Sequence, residues 1–315
     1  IWGVSYLPTE NVKYGVLVDS VGKEIGLQNG DKIISVDDQN IDNFFQIIPD
    51  IILNERKTIQ IERDGRRMNI EIPKSVIPAI IKGETVIEAR IPFSPLIVNG
   101  YMKKSAAREA GIEIDDEILG VNSRRFEYYD EYSNFISEFK GREIVVNIRR
   151  GAEEIDFPLV VSSEGLIGIT HDIRKFFEFR TIEYGFLESI PAGIRKGMKT
   201  MKDYLKQFKL IFSRETKAYE SLGGFITIGS IFPGEWDWYS FWSLTAFLSI
   251  ILAIMNILPI PALDGGHVMF LLYEVISGRK PSDKFLEYAQ ITGMIILLAL
   301  LVFANGNDII RLFKK

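Results

Sequence analysis

The sequence predicts a multidomain membrane protein: two mixed α/β domains, then an amphipathic helix, then two transmembrane α-helices. Three observations carry this prediction. A motif recurs in the first half of the chain, a helical apolar stripe follows it, and two long apolar segments lie near the C-terminus. The chain has 315 residues, enough for two or three domains. Mean hydropathy is only slightly positive, so most of the chain is built for water.

The repeat is explicit. Glu24-Ile-Gly26-Leu27-Gln-Asn-Gly30-Asp31-Lys-Ile33-Ile34-Ser-Val36-Asp37 aligns with Glu109-Ala-Gly111-Ile112-Glu-Ile-Asp115-Asp116-Glu-Ile118-Leu119-Gly-Val121-Asn122. Each copy continues into an alternating strand, Ile59-Gln-Ile61-Glu-Arg63 and Val146-Asn-Ile148-Arg-Arg150, and a glycine follows each, Gly65 and Gly151. Alternation closed by glycine predicts a hairpin. Through the A-G-[LI]-x-x-G-D-x-I-[IL]-x-V-[DN] core the copies resemble PDZ domains, placed at residues 5–80 and 88–170. The second copy has Asp115 where glycine is usual, which predicts a looser turn. Ser94-Pro95-Leu96-Ile97 is a poor substitute for a carboxylate-binding loop, so the domains read equally as peptide binders and as folded spacers.

Composition narrows the chemistry. There is no cysteine, which removes disulfides, Cys-zinc sites and thiol catalysis. The net charge of -5 is mild, and no basic, aromatic-studded tract points to nucleic acid. His171 and His267 are the only histidines, too few for a His-rich metal site. His171 reads as a surface residue after the second repeat.

Membrane signals cluster at defined places. Trp236, Trp238 and Trp242 flank the start of the main apolar run, as expected of an interfacial belt. Trp2 marks another interface on the same logic, and residues 1–4 read as the end of a preceding transmembrane helix. Within residues 183–235, Leu187, Ile190, Ile194, Met198, Met201, Leu205, Phe208 and Phe212 recur at helical steps, with Arg195, Lys196, Lys199, Lys202, Lys206 and Lys209 between them. A basic amphipathic helix of this kind lies in a membrane interface or packs on a neighbouring domain. Residues 236–264 and 286–305 are the two predicted spans. Flanking positive charge is balanced and fixes no orientation.

The first span ends in Asn256-Ile-Leu-Pro259-Ile-Pro261-Ala-Leu-Asp264-Gly265-Gly266-His267. Proline removes a backbone donor and breaks a helix, and polar groups at membrane depth point to function. Asp264 is read as a metal ligand, a proton relay or an ion-coordinating group. The Asn256 amide suits pairing with an extended peptide backbone.

Taken whole, N-x-x-P-x-P-x-L-D-G-G-H resembles the membrane motif of the site-2 proteases, intramembrane zinc metalloproteases, and the order of domains resembles theirs. Ser221-Leu-Gly223-Gly224-Phe225-Ile226 is similar to a segment those proteins carry ahead of that helix, with Phe225 in place of a proline. The resemblance implies zinc as cofactor, Asp264 as one metal ligand, Asn256, Pro259 and Pro261 at the substrate groove, and Gly265 and Gly266 as motif backbone. His267 then matches a polar helix-end residue, not a ligand. The implied substrates are single-span membrane proteins such as anti-sigma factors or signal-peptide remnants, cleaved in regulated intramembrane proteolysis. The implied location is the bacterial inner membrane, with the PDZ pair in the periplasm as a substrate filter.

The H-E-x-x-H element of that family, which supplies two zinc-binding imidazoles and the general base, is not in this sequence. The chain is therefore expected to be the C-terminal portion of such an enzyme and inactive alone. The alternative is a non-catalytic membrane-anchored PDZ adaptor that binds peptide segments.

Overall fold

The computed structural model describes residues 3–211 and 222–313. Trp2, Phe212 and Ser221 lie outside the described residues, as do the side chains of Phe208 and Lys209. The chain divides into two compact units. One is Val4–Val76 with Gly83–Ile182, and the other consists chiefly of the residues from Glu183 onward.

The first unit holds two copies of one design. In the first copy β1 (Val4–Tyr6) is followed by β2 (Val16–Val18), α1 (Ser20–Ile25), β3 (Lys32–Val36), α2 (Ile47–Leu53), β4 (Thr58–Arg63) and β5 (Arg66–Glu71). A short helix, α3 (Ile77–Ile81), is grouped with the other unit. β6 (Ile87–Ala89) then returns to pair antiparallel with β2. The first copy thus reaches past the predicted boundary at residue 80, because its edge strand comes from residues 87–89. Val4 lies in a strand and not, as expected for residues 1–4, in a helix.

The second copy has β7 (Leu96–Ile97), β8 (Gly100–Tyr101), α4 (Ala106–Ala110), β9 (Glu117–Val121), α5 (Tyr129–Ser137), β10 (Glu143–Arg150), β11 (Glu153–Val160), β12 (Ile169–Thr170) and β13 (Arg180–Ile182). Its four-stranded sheet runs β11-β10-β9-β7. Strand alternation makes the core: Ile144, Val146 and Ile148 of β10 point in and are buried with Phe93, Ile118, Val121, Tyr132 and Ile136. Each such side chain contributes roughly 2 kcal/mol of transfer free energy.

Local chemistry explains why the copies match. The short helices start on side-chain caps, the Asp19 carboxylate accepting from Ser20 N and the Ser105 hydroxyl from Arg108 N. They stop at Gly26 (φ 101°) and Gly111 (φ 96°), left-handed positions that favour glycine. The following turn is also the same in both. Gly30 N donates to Val16 O at 2.8 Å and Asp115 N to Val98 O at 2.9 Å. Asp115 adopts φ 71° where Gly30 has 93°, so the predicted looser turn does not occur. Aspartate is among the few side-chain-bearing residues that tolerate this region. Each hairpin closes through a two-residue turn, Asp64-Gly65 and Gly151-Ala152.

The copies are tied together. Arg90 N donates to Gly15 O at 2.9 Å in the first copy. Its guanidinium donates to the Asp130 carboxylate at 3.0 and 3.1 Å in the second and stacks on Tyr128, 3.5 Å from the ring centre. At the far end β13 pairs antiparallel with β1, so the strand that enters the unit and the strand that leaves it are zipped together.

The other unit is helical: α6 (Phe186–Ile211), α7 (Phe225–Ser230), α8 (Trp238–Ile257), α9 (Asp264–Ser277) and α10 (Asp283–Phe313). Of these, α8 and α10 are long and apolar enough to cross a membrane. At 1.5 Å per residue the 20 residues of α8 reach about 30 Å. Leu187, Ile190, Ile194, Met198 and Leu205 of α6 are exposed. The helix meets α8 through Tyr204 on Phe247, with ring centres 5.8 Å apart.

Two corrections concern the spans. The first helix stops at Ile257 instead of continuing to residue 264, since Pro259 drives Leu258 out of helical conformation (φ -58°, ψ 141°). Residues 265–277, which fall in neither predicted span, form a further helix with Asp264, α9, which ends at Gly278 (φ 67°). Its 14 residues reach about 21 Å, short of a full crossing.

Candidate functional site

The motif occupies a break between two apolar helices. Asn256 is the second-last residue of α8, Pro259 and Pro261 lie in the connecting loop, and Asp264 is the first residue of α9. The loop is compact: Ile260 N donates to Leu258 O at 2.7 Å, and Leu263 N donates to Ile260 O at 3.0 Å. Ala262 is forced to φ 86°, a costly conformation for a residue with a Cβ. Asp264 is therefore not at the tail of a broken helix, as the sequence reads, but opens a new one. Its negative charge complements the positive end of the helix dipole.

Glycines permit the close contacts that shape the break. A Cβ on Gly265 would stand 2.3 Å from Ile257 O and 2.4 Å from Leu258 O, and one on Gly266 would stand 2.5 Å from Ile260 O. The start of α9 is thus pressed on the end of α8 and on the loop, which keeps Asp264 and Asn256 on adjoining segments. Both side chains are exposed, as is His267. The His267 ring lies 6.4 Å from that of Phe270, edge to face.

A zinc site takes about four donors. Among the described residues no three His, Cys, Asp or Glu side chains converge. The residues present contribute a single carboxylate, Asp264, and do not by themselves fit a catalytic zinc ion.

His171 is not the surface residue that the sequence suggests. Its ring packs on Tyr129 with centres 4.5 Å apart, and its Nε2 is buried without a hydrogen-bond partner. Burial pushes the imidazole below its ordinary pKa, against a smaller opposing effect of Asp172. With Pro95, Ile97, Asn99, Asp172, Lys175 and Phe176 it lines a cavity of about 100 Å³.

Sequence reasoning missed a polar cluster on α10. The buried Asp308 carboxylate accepts the backbone amides of Gly224, Ile226 and Thr227 at 2.9–3.0 Å, together with the Thr227 hydroxyl. Asn305 Oδ1 accepts Phe225 N at 3.2 Å. Phe225, which stands where the similar segment has proline, supplies an amide that proline would lack. The signal was available as Asn305-Gly306-Asn307-Asp308, four small or polar residues closing an apolar helix.

Comparison with known proteins shows the family. The model of peptidase family M50 matches residues 15–300. The chain belongs to peptidase family M50. A Campylobacter jejuni protein named as a candidate zinc metalloprotease is 34% identical, over 69% of this chain and 61% of its own length. The regulator of sigma E protease of Haemophilus influenzae is 30% identical, over 70% of this chain and 51% of its own. A Salmonella typhimurium relative bearing the latter name is 26% identical, over 72% and 52%. The chain spans roughly half to three fifths of the length of these relatives. A PDZ domain of an SdrC-like protein from Listeria monocytogenes aligns over 28% of this chain and 98% of its own at 17% identity, with a TM-score of 0.23, too low to bear on the fold.

Proposed function

We propose that this chain is the portion of a site-2-type intramembrane zinc metalloprotease that carries the aspartate ligand, the substrate-holding loop and a tandem PDZ substrate filter. The observation that carries the proposal is the position of Asp264. It is an exposed carboxylate at the break between two apolar helices, next to a loop that contains two prolines and a strained alanine. Polar groups placed so in an apolar unit are costly and point to function.

In this reading Asp264 gives one oxygen to zinc, and the remaining donors come from an H-E-x-x-H element that the sequence does not contain. Asn256 holds the backbone of an extended substrate segment. Pro259 and Pro261 keep the loop from continuing α8 by withholding the amides a helix would need, and Gly265 and Gly266 let it sit against α9. The substrates are single-span membrane proteins, such as anti-sigma factors or signal-peptide remnants, within the bacterial inner membrane. The two copies of the repeat are PDZ domains on the periplasmic side. The exposed apolar stripe of α6, with lysines beside it, suits the membrane interface.

Metal analysis of the full-length protein tests this. Asp264→Asn should deplete bound zinc, while Glu274→Gln on the same helix should not. Equal zinc in both variants and in the parent would remove Asp264 from the metal site.

A further inference from the structure

The last membrane helix raises a question that the motif does not answer. Along α10 only Gly293 and Asp308 are fully buried; the other residues are half-buried or exposed. Asp308 is accounted for by its bonds to residues 224–227. Gly293 sits mid-helix, where glycine is among the poorest helix formers, so its presence needs a local cause.

The cause is the carbonyl of Pro261. A Cβ on Gly293 would stand 1.5 Å from Pro261 O, 2.4 Å from Pro261 C and 3.1 Å from Pro261 Cα. All three are backbone atoms in a short loop between prolines, so no side-chain rotation relieves the overlap. The requirement is specific to this position, because a Cβ on Gly306 of the same helix would meet nothing within 4 Å. Gly265 and Gly266 press the loop from α9, and Gly293 receives it from α10.

We infer that Gly293 is a positioning residue: it seats the loop of residues 258–263 and thereby sets where that loop meets substrate. The inference rests on the proposed reading of this loop as the substrate-holding segment. Any side chain at 293 displaces the Pro261 carbonyl by an ångström or more, and with it Ile260 on one side and Ala262 on the other. A displacement of about 1 Å away from the reacting centre can cost on the order of 100-fold in rate. Asn305, Gly306 and Asp308 are not involved, so the last turns of α10 should tolerate the same small substitution.

The test uses the full-length protein with a photo-crosslinking residue at position 260 and a single-span membrane substrate. Gly293→Ala should accumulate in the membrane and retain zinc, yet lose the crosslink to substrate and cleave about 100-fold more slowly. Gly306→Ala should crosslink and cleave as the parent does. Parental crosslinking and cleavage by Gly293→Ala, or equal losses in both variants, would overturn the inference. Should Gly293→Ala fail to accumulate, pairing it with Pro261→Gly should restore accumulation, since the freed carbonyl can swing aside; no restoration also overturns it. The functional reading is judged separately: undiminished cleavage by Asp264→Asn would sink that reading, whatever Gly293→Ala does.

Discussion

The Asp308 carboxylate accepts the amide of Gly224 at 2.9 Å, across 84 positions of sequence. The same carboxylate accepts the amides of Ile226 and Thr227, which lie in the first turn of α7 and have no carbonyl of their own helix to bind.

Removing that carboxylate should free α7. Asp308→Ala leaves several amides without a partner, at about 1–3 kcal/mol each where they are shielded from water. Hydrogen exchange of residues 224–230 in the full-length protein should accelerate in Asp308→Ala and less so in Asp308→Asn, whose amide oxygen still accepts. Unchanged exchange in Asp308→Ala would contradict the cap.

A second pair predicts acid sensitivity in the repeats. Asp116 is buried and receives Arg150 at 2.7 and 2.8 Å and Glu113 N at 2.7 Å. Burial alone would raise its pKa, but the Arg150 and Glu113 bonds outweigh that and hold the carboxyl below its ordinary 3.8. The folded state thus binds its proton less readily than the unfolded chain. The contribution is fully present above about pH 3.8 and is lost as pH falls through the lower folded value. Asp116→Ala should cost roughly 2 kcal/mol at neutral pH, read as faster exchange along β10. No change there would refute the pair's role. Asp31 and Arg63 make the equivalent contact in the first copy, at 2.7 Å.

His171 predicts a milder window. Its folded pKa is lowered below 6.5, chiefly by burial. Stability from keeping it neutral is therefore present above pH 6.5 and declines as pH drops through the folded value. Replacing it by phenylalanine, which keeps a ring against Tyr129, should flatten the pH dependence of exchange around residues 169–176. An unaltered profile would show that His171 is not its source.

Ala262 carries backbone strain. Glycine adopts φ 86° freely, so Ala262→Gly should leave the thermal stability of the full-length protein equal or higher. Ala262→Val should lower it by about 1–3 kcal/mol. A clear loss of stability on Ala262→Gly would contradict the strained loop.

Much of this was legible in the sequence, for identifiable reasons. The repeat announced itself because cap glycines, the buried turn aspartate and strand alternation are local rules that leave local marks. The membrane motif was legible because prolines and a carboxylate are out of place in an apolar run. The looser turn at Asp115 was wrongly expected because the rest of the turn imposes the conformation and aspartate accepts it. Helix α9 was missed because Leu271-Leu272-Tyr273 follows the motif too closely to read as a separate element. The tie of Asp308 to Gly224, and that of Gly293 to Pro261, join residues far apart in sequence. No periodicity encodes such contacts.

The central claim is that Asp264 serves intramembrane proteolysis. Its most direct test is cleavage of a single-span membrane reporter by the full-length protein and by Asp264→Asn, at matched membrane levels. The account predicts product from the parent and none above background from the variant. Equal cleavage by both would contradict it.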